Sequence, residues 1–471
     1  MSHSKEKKGL SIGATSFITA TALIFVLMVL TYIMTFFIQG GEFARVLDEH
    51  GNQIINIAGG FTYIEGGIPF WKWLLSPILV LGAEGNGSLI AVIIFLLVLG
   101  GVFNSLDRCG LMKYMLHKIT ARFAKHKYRL MAYVVLFFML MGSFIGSFEE
   151  CVPLVPLVVA LAIGLGWDAL TGMGMSLLAV GCGFAAGICN PFTVGVAQEL
   201  AGLAMFSGMW YRVICFVFIY ALLVGCLLRY AKKIEQVPVA AKKEAETFFP
   251  DKKMDKGLIY FVGILGIGIL LVLSSVVITV LQDYTMIIVA VMFLVAGVSA
   301  VLVSGTSAKY LWHTFWSGLV TIFPAVGMIL MANSIKYTMT EAHILDTILH
   351  SAVLAVDGFP RWAVILFIYL IVLAMNFFIP SGSAKAFLLI PLIVPVAQVF
   401  GISAQLCVLA FAFGDGFSNV FYPTNPVLLI SLGLADVSYS KWAKWSIKFQ
   451  AANLVLTGLL LLAAQSIGYC C

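Results

Sequence analysis

The chain has 471 residues, of which 61% are apolar and only 11% charged, and its mean hydropathy is +1.04. A soluble domain carries about 25% charged residues, so water is excluded as the solvent for most of this surface. The apolar runs are continuous rather than alternating, which excludes a β-barrel and leaves helices as the spanning structure. The formal charge of +6 is no nucleic-acid signal, because the basic residues sit in short loops between apolar runs.

In chain order, Lys5, Lys7 and Lys8 precede a first run at 16–38. It is too long for a signal-peptide core and has no small-residue cleavage site before Gly40, so it reads as a retained anchor. A short Trp-rich segment, 69–81, is predicted to lie at the membrane interface. Spans follow at 88–105, 169–204 (interrupted), 209–230, 257–280, 285–304, 314–334, 402–436 (interrupted) and 443–467. Stretches 105–128 and 335–358 are charged and semi-apolar, as interfacial helices are. Segments 129–165 and 361–400 are apolar but broken midway by Gly, Ser and Pro.

Basic residues gather in some loops and avoid others. Arg108, Lys113, Lys118, Arg122, Lys125, Lys127 and Arg129 share one loop; Lys232, Lys233, Lys242, Lys243, Lys252, Lys253 and Lys256 share another. Lys309 and the trio Lys441, Lys444 and Lys448 mark two more, while 39–87, 205–208, 281–284 and 335–360 are poor in Lys and Arg. The positive-inside rule then places the N-terminus in the cytoplasm of a multi-pass protein of the cytoplasmic membrane. Alternation works only if 129–165 and 361–400 each enter and leave on one face, which predicts two re-entrant hairpins beside nine spans.

The two halves match. Gly101-Val-Phe-Asn104-Ser105 answers Leu330-Met-Ala-Asn333-Ser334, and Gly142-Ser143 before Pro153 and Pro156 answers Ser381-Gly382-Ser383 before Pro391 and Pro395. Gly181-Cys-Gly183-Phe184 leads to Asn190-Pro191, as Gly414-Asp415-Gly416-Phe417 leads to Asn425-Pro426. The expected organisation is a cytoplasmic N-terminus (1–14), a first repeat (15–230), a cytoplasmic linker (231–256) containing Pro238 and Pro250, and a second repeat (257–471) with one extra helix. The charge pattern puts the hairpins on opposite faces, so the repeat reads as inverted, the arrangement that permits alternating access.

Each interrupted span carries Asn-Pro. Proline removes a donor and clashes with the preceding turn, freeing backbone groups at membrane depth that are tolerated only where they face protein or a water-filled cavity. Asn190, Thr193, Thr424 and Asn425 are the small polar residues at those breaks. The first hairpin tip carries Ser143, Ser147, Glu149 and Glu150; the second carries Ser381, Ser383 and Lys385. Charge inside a membrane costs at least ~2.5–3.5 kcal/mol, so these are candidate substrate-binding residues, with Glu149 and Asp415 as candidates for a coupling ion, sodium or proton. Glu199 and Asp436 lie near span ends, and Asp168 reads as a helix-start residue. The nine cysteines show no CxxC or metal spacing, no metal motif is legible, and no cofactor, nucleotide loop or nucleophile triad is expected.

The runs GSFIGSFEECVPLVPLVVALAIGLGWDALTG, GFAAGICNPFTVGVAQELAGL, IPSGSAKAFLLIPLIVPVAQ and YPTNP resemble the YfcC-type family, which groups with the anaerobic C4-dicarboxylate carriers of the ion transporter superfamily. The resemblance covers essentially the whole chain. It implies an elevator-like carrier, usually a homodimer, whose transport domain holds both hairpins and both interrupted spans. It further implies a substrate among dicarboxylates or basic amino acids.

An acidic first tip and a basic second tip fit a zwitterion, with Lys385 for a carboxylate and Glu149 or Glu150 for an ammonium or guanidinium. An amino acid is therefore the expected substrate, with basic amino acids exchanged by antiport among the candidates. A C4-dicarboxylate coupled to sodium or protons is the alternative, a channel a more distant one, and no enzymatic activity is expected.

Overall fold

The computed structural model describes residues 14–47, 53–55, 60–83, 87–115, 118, 126–146, 148–235, 251–274, 285–355 and 358–470. Eight helices among these are long and apolar enough to cross a bilayer, and the shorter apolar helices Thr21–Phe37 and Ile287–Val303 coincide with two further expected spans. The chain is an all-α polytopic membrane protein, as its composition requires.

The first hairpin climbs as Lys127–Leu140, passes a π-helical turn at Met141–Ile145, reverses at Gly146 and returns through a 3-10 turn at Glu149–Leu154 into Val155–Gly164. Gly146 has φ 73°, a left-handed conformation that disfavours side chains, and a Cβ there would fall 2.3 Å from Asn190 Oδ1. The second hairpin pairs Arg361–Phe378 with Gly382–Val399. Each of its limbs has 18 residues, a rise of about 27 Å, so by length alone either could span; the reversal between them nevertheless lies against the interior of the protein.

The open ends of the hairpins are fastened differently. At the first, Lys127 pairs with Glu235, just beyond the helix Met209–Ile234, and Tyr230 donates to Asp168 Oδ2 at 2.7 Å. Asp168 is a helix N-cap as expected, its carboxylate accepting from Thr171 N at 2.9 Å. At the second, Gln465 donates to Arg361 O at 3.1 Å and Ser403 donates to Tyr469 O at 2.7 Å, both partners lying at the end of the last helix, Tyr439–Ser466, or just past it.

Between the hairpins run the two interrupted helices. The first consists of Ala169–Met173, a π-helical turn, Ala179–Ala186, a break, then Pro191–Gly195 and Val196–Leu200. The second consists of Ala404–Gly416, a 3-10 turn at Phe417–Val420, a break, and Pro426–Leu434. Both Asn residues before the prolines are extended, because proline disfavours helical geometry in the residue before it. Residues 170–191 of the first interrupted helix are all buried, whereas the long helix Ala308–Glu341 leaves much of its apolar surface, Trp312, Trp316, Val320 and Phe323 included, exposed. An element apolar all round must be covered by protein. The two interrupted helices cross so closely that a Cβ on Gly416 would lie 2.1 Å from Ala185 N. Small residues at crossings let membrane helices touch through their backbones, where packing rather than the hydrophobic effect drives association.

Two antiparallel ribbons, Gly41–Phe43 with Phe61–Tyr63 and Arg45–Leu47 with Gln53–Ile55, occupy the loop after the first helix and were not legible in the sequence. They are held just past the end of the long helix, by Arg45–Asp346 at 2.6 Å to the next helix, Ile344–Leu354, and by Glu42–His343 at 2.7 Å to the turn between the two. Most of the expected linker, 236–250, lies outside the described residues.

Candidate substrate site at the helix breaks

The second break is organised by a fully buried ion pair. Lys385 Nζ donates to Asp415 Oδ1 at 2.6 Å, to Ile379 O at 3.3 Å and to Asn376 Oδ1, and neither charged side chain is exposed. An ammonium has three N–H groups, so every donor of Lys385 is used within the protein. Asn376 Nδ2 donates to Ser418 Oγ at 2.6 Å and Asn419 Oδ1 at 3.0 Å, and Asn425 Nδ2 also donates to Asn419 Oδ1 at 3.0 Å. Asn425 Oδ1 accepts from Val427 N at 2.9 Å, capping the half-helix that its own proline begins.

The first break is held without an internal ion pair among the described residues. Ser143 Oγ, in the π-helical turn of the first hairpin, accepts from Ile188 N at 2.9 Å, and Ser143 O accepts from Cys189 N at 3.2 Å. Asn190 Oδ1 accepts from Phe192 N at 2.9 Å and Thr193 N at 3.3 Å. The hairpin tip thus supplies backbone partners that the broken helix has lost.

Four polar atoms around the breaks are buried and have no hydrogen-bond partner among the described residues: Asn190 Nδ2, Thr193 Oγ1, Thr424 Oγ1 and Asp415 Oδ2. Buried polar groups are almost always satisfied, and leaving one unpaired costs about 1–3 kcal/mol. Thr193 and Asp415, one from each break, come together. A Cβ on Gly382, at the second hairpin tip, would meet Thr193 Cγ2 at 2.4 Å and Asp415 Oδ2 at 2.6 Å, so residues from both breaks converge on that tip. Three free donors or hydroxyls and one free carboxylate oxygen suit a small charged metabolite.

The expected site residues divide accordingly. Asn190, Thr193, Thr424 and Asp415 keep free groups, whereas Ser143, Asn425 and Lys385 are spent on internal bonds. Ser381 is exposed at the second tip and Ser383 is half-buried, and neither side chain bonds among the described residues. Ser147 and the side chains of Glu149 and Glu150 lie outside the described residues. Sequence reasoning missed Asn376, Ser418, Asn419 and Arg212. Asn376 carried a usable signal, an amide within the apolar run Ala374-Met-Asn-Phe-Phe378. No cluster of His, Cys, Asp and Glu among the described residues could hold a metal ion.

The model of the C4-dicarboxylate anaerobic carrier family, DcuC, matches residues 17–466. An Escherichia coli K12 protein named "Putative basic amino acid antiporter YfcC" is 29% identical over 413 residues, 81% of this chain and 79% of its own. A Haemophilus influenzae Rd protein is 24% identical over 398 residues, covering 82% and 77%. The crystal structure of the Alcanivorax borkumensis YdaH transporter covers 96% of this chain and 99% of its own, with 17% identity and a TM-score of 0.46. The family match extends over nearly the whole polypeptide, including both hairpins and both helix breaks: this multi-pass membrane protein belongs to the DcuC family of C4-dicarboxylate anaerobic carriers, a transporter family.

Proposed function

We propose that this chain is a secondary carrier for an amino acid, with basic amino acids as the first candidates for exchange. The observation that carries the proposal is the mixed set of free groups at the breaks. The amide of Asn190 and the hydroxyls of Thr193 and Thr424 can donate to a carboxylate, and Asp415 Oδ2 can accept from an ammonium. Asp415 already neutralises Lys385, so the pair adds no net charge to repel either end of a zwitterion. This arrangement differs from the tip-to-tip polarity read from sequence: Lys385 supports Asp415 rather than meeting the substrate carboxylate. The name of the Escherichia coli relative supports the same class.

Alternating access would carry the two hairpins and the two interrupted helices together, since backbone contact at Gly416 and Ala185 joins the interrupted helices. The C4-dicarboxylate reading is favoured by the family description and by three potential donors against one free acceptor. Counterflow in proteoliposomes loaded with arginine, ornithine, lysine, aspartate or fumarate, with and without a sodium gradient, tests both. Exchange of arginine or ornithine is the expected result. Exchange of fumarate with none for any amino acid overturns it.

A further inference from the structure

Arg212 is the fourth residue of the helix Met209–Ile234 and is 0% exposed. Nε donates to Ile188 O at 3.2 Å, Nη2 to Phe206 O at 3.2 Å, and Nη1 reaches Tyr469 Oη at 3.5 Å. All three acceptors are neutral, and no carboxylate among the described residues lies within ion-pair distance. A guanidinium does not lose its proton in a protein, so a whole positive charge is buried here with no counter-charge among the described residues.

Hydrogen bonding alone does not account for it, because a neutral amide could donate to Ile188 and Phe206 as well. Burying a cation against neutral partners alone is costly, so a guanidinium held there calls for a use beyond its hydrogen bonds. The location points to its use. Ile188 sits in the first break, its N–H held by Ser143 and its carbonyl by Arg212, two residues before Asn190 with its free amide. At the second break the lysine is cancelled by Asp415; at the first, nothing described cancels Arg212.

We propose that Arg212 is the specificity-determining charge of the site, acting through the clamped Ile188 peptide and its field rather than by contact, and that it makes a carboxylate obligatory on the substrate. This inference rests on the amino-acid reading for its choice of probe. The surrounding contacts fix the guanidinium in place. Phe206 holds a left-handed φ of 60° that costs energy in a non-glycine residue, its N–H held by Gln198 Oε1 at 2.6 Å and its carbonyl by Arg212. Tyr469 Oη is itself anchored by donating to Gly208 O at 2.7 Å.

The test compares arginine with agmatine, which lacks the carboxylate, in proteoliposomes bearing the wild type, Arg212→Gln and Arg212→Lys. A unit charge ~10 Å away at an effective dielectric of ~20 alters affinity on the order of tenfold. Arg212→Gln is therefore expected to raise the KM for arginine about tenfold with a smaller change in kcat, and to tighten inhibition by agmatine, whose two cationic groups the Arg212 field repels. Arg212→Lys, which keeps the charge, is expected to retain the wild-type preference for arginine over agmatine. An Arg212→Gln protein that elutes as a single species and keeps the wild-type preference overturns the proposal and leaves Arg212 a structural clasp. Should Arg212→Gln fail to fold, a folded Arg212→Lys that loses the preference overturns it equally. Failure of the amino-acid reading is distinct: the wild type then exchanges no arginine, and fumarate against its monoamide replaces the probe pair.

Discussion

The two helix breaks begin from the same Asn-Pro and are stabilised by different chemistry. At Asn425 the surroundings are a closed network, in which Lys385, Asp415, Asn376, Ser418 and Asn419 satisfy one another almost completely. At Asn190 the partners are a serine hydroxyl, a hairpin carbonyl and one arginine, and the amide nitrogen is left free. The difference teaches that a repeated motif preserves backbone geometry while the charges around it diverge. The second break is tied around a neutral ion pair, with one Asp415 oxygen and the Thr424 hydroxyl left over; the first presents the Asn190 amide and the Thr193 hydroxyl beside the positive charge of Arg212.

The sharpest way to break this comparison is Asp415→Asn. Removing one member of a buried ion pair strands the other charge and costs about 3–5 kcal/mol, so thermal unfolding of the purified protein should fall steeply and uptake should vanish. The double variant Lys385→Met/Asp415→Leu should recover most of the thermal stability while remaining inactive. Full activity in Asp415→Asn would remove the pair from both the fold and the site. Gly416→Ala comes next. Its new methyl would meet Ala185 N, and overpacking of this kind costs about 1–3 kcal/mol; the same thermal assay should show it, with kcat falling more than KM.

Asn190→Ala and Asn425→Ala then test the asymmetry directly. Each loses a helix N-cap worth about 1 kcal/mol. Only Asn190→Ala should also raise KM, by roughly tenfold for one lost donor at about 1.4 kcal/mol, and equal KM values would erase the distinction drawn here. The smallest effect belongs to the periphery. Lys127 and Tyr128 hold the Glu235 carboxyl below its usual range by hydrogen bonds. A depressed carboxyl contributes stability above its unfolded pKa and loses it as pH falls through the lower, folded one. Glu235→Gln should therefore flatten stability against pH on the acid side of the ordinary carboxylate range, by no more than about 0.5 kcal/mol at neutral pH for so exposed a pair.

Much of this architecture was legible in advance. Asn-Pro predicted the breaks because proline acts locally on the residue before it, and the helical polytopic class followed from composition. The matching motifs placed a reversal of the chain ahead of each break, and the chain turns back at Gly146 and at Ile379–Ser381. Partner choice could not. The sequence placed Lys385 and Asp415 30 residues apart without showing that a reversal at Ile379–Ser381 folds one onto the other. Arg212 was hidden by its position three residues inside an apolar run, where it read as part of the span's end. The ribbons at 41–63 were missed because strands of three residues carry no usable alternation.

The Lys385–Asp415 pair has a consequence for the membrane potential. Moving one elementary charge through the whole field involves about 2.3 kcal/mol per 100 mV. Two opposite charges 2.6 Å apart form a short dipole on which a uniform field exerts almost no net force. Were alternating access to carry this pair across an energised membrane, the pair itself would be neither driven nor held back by voltage.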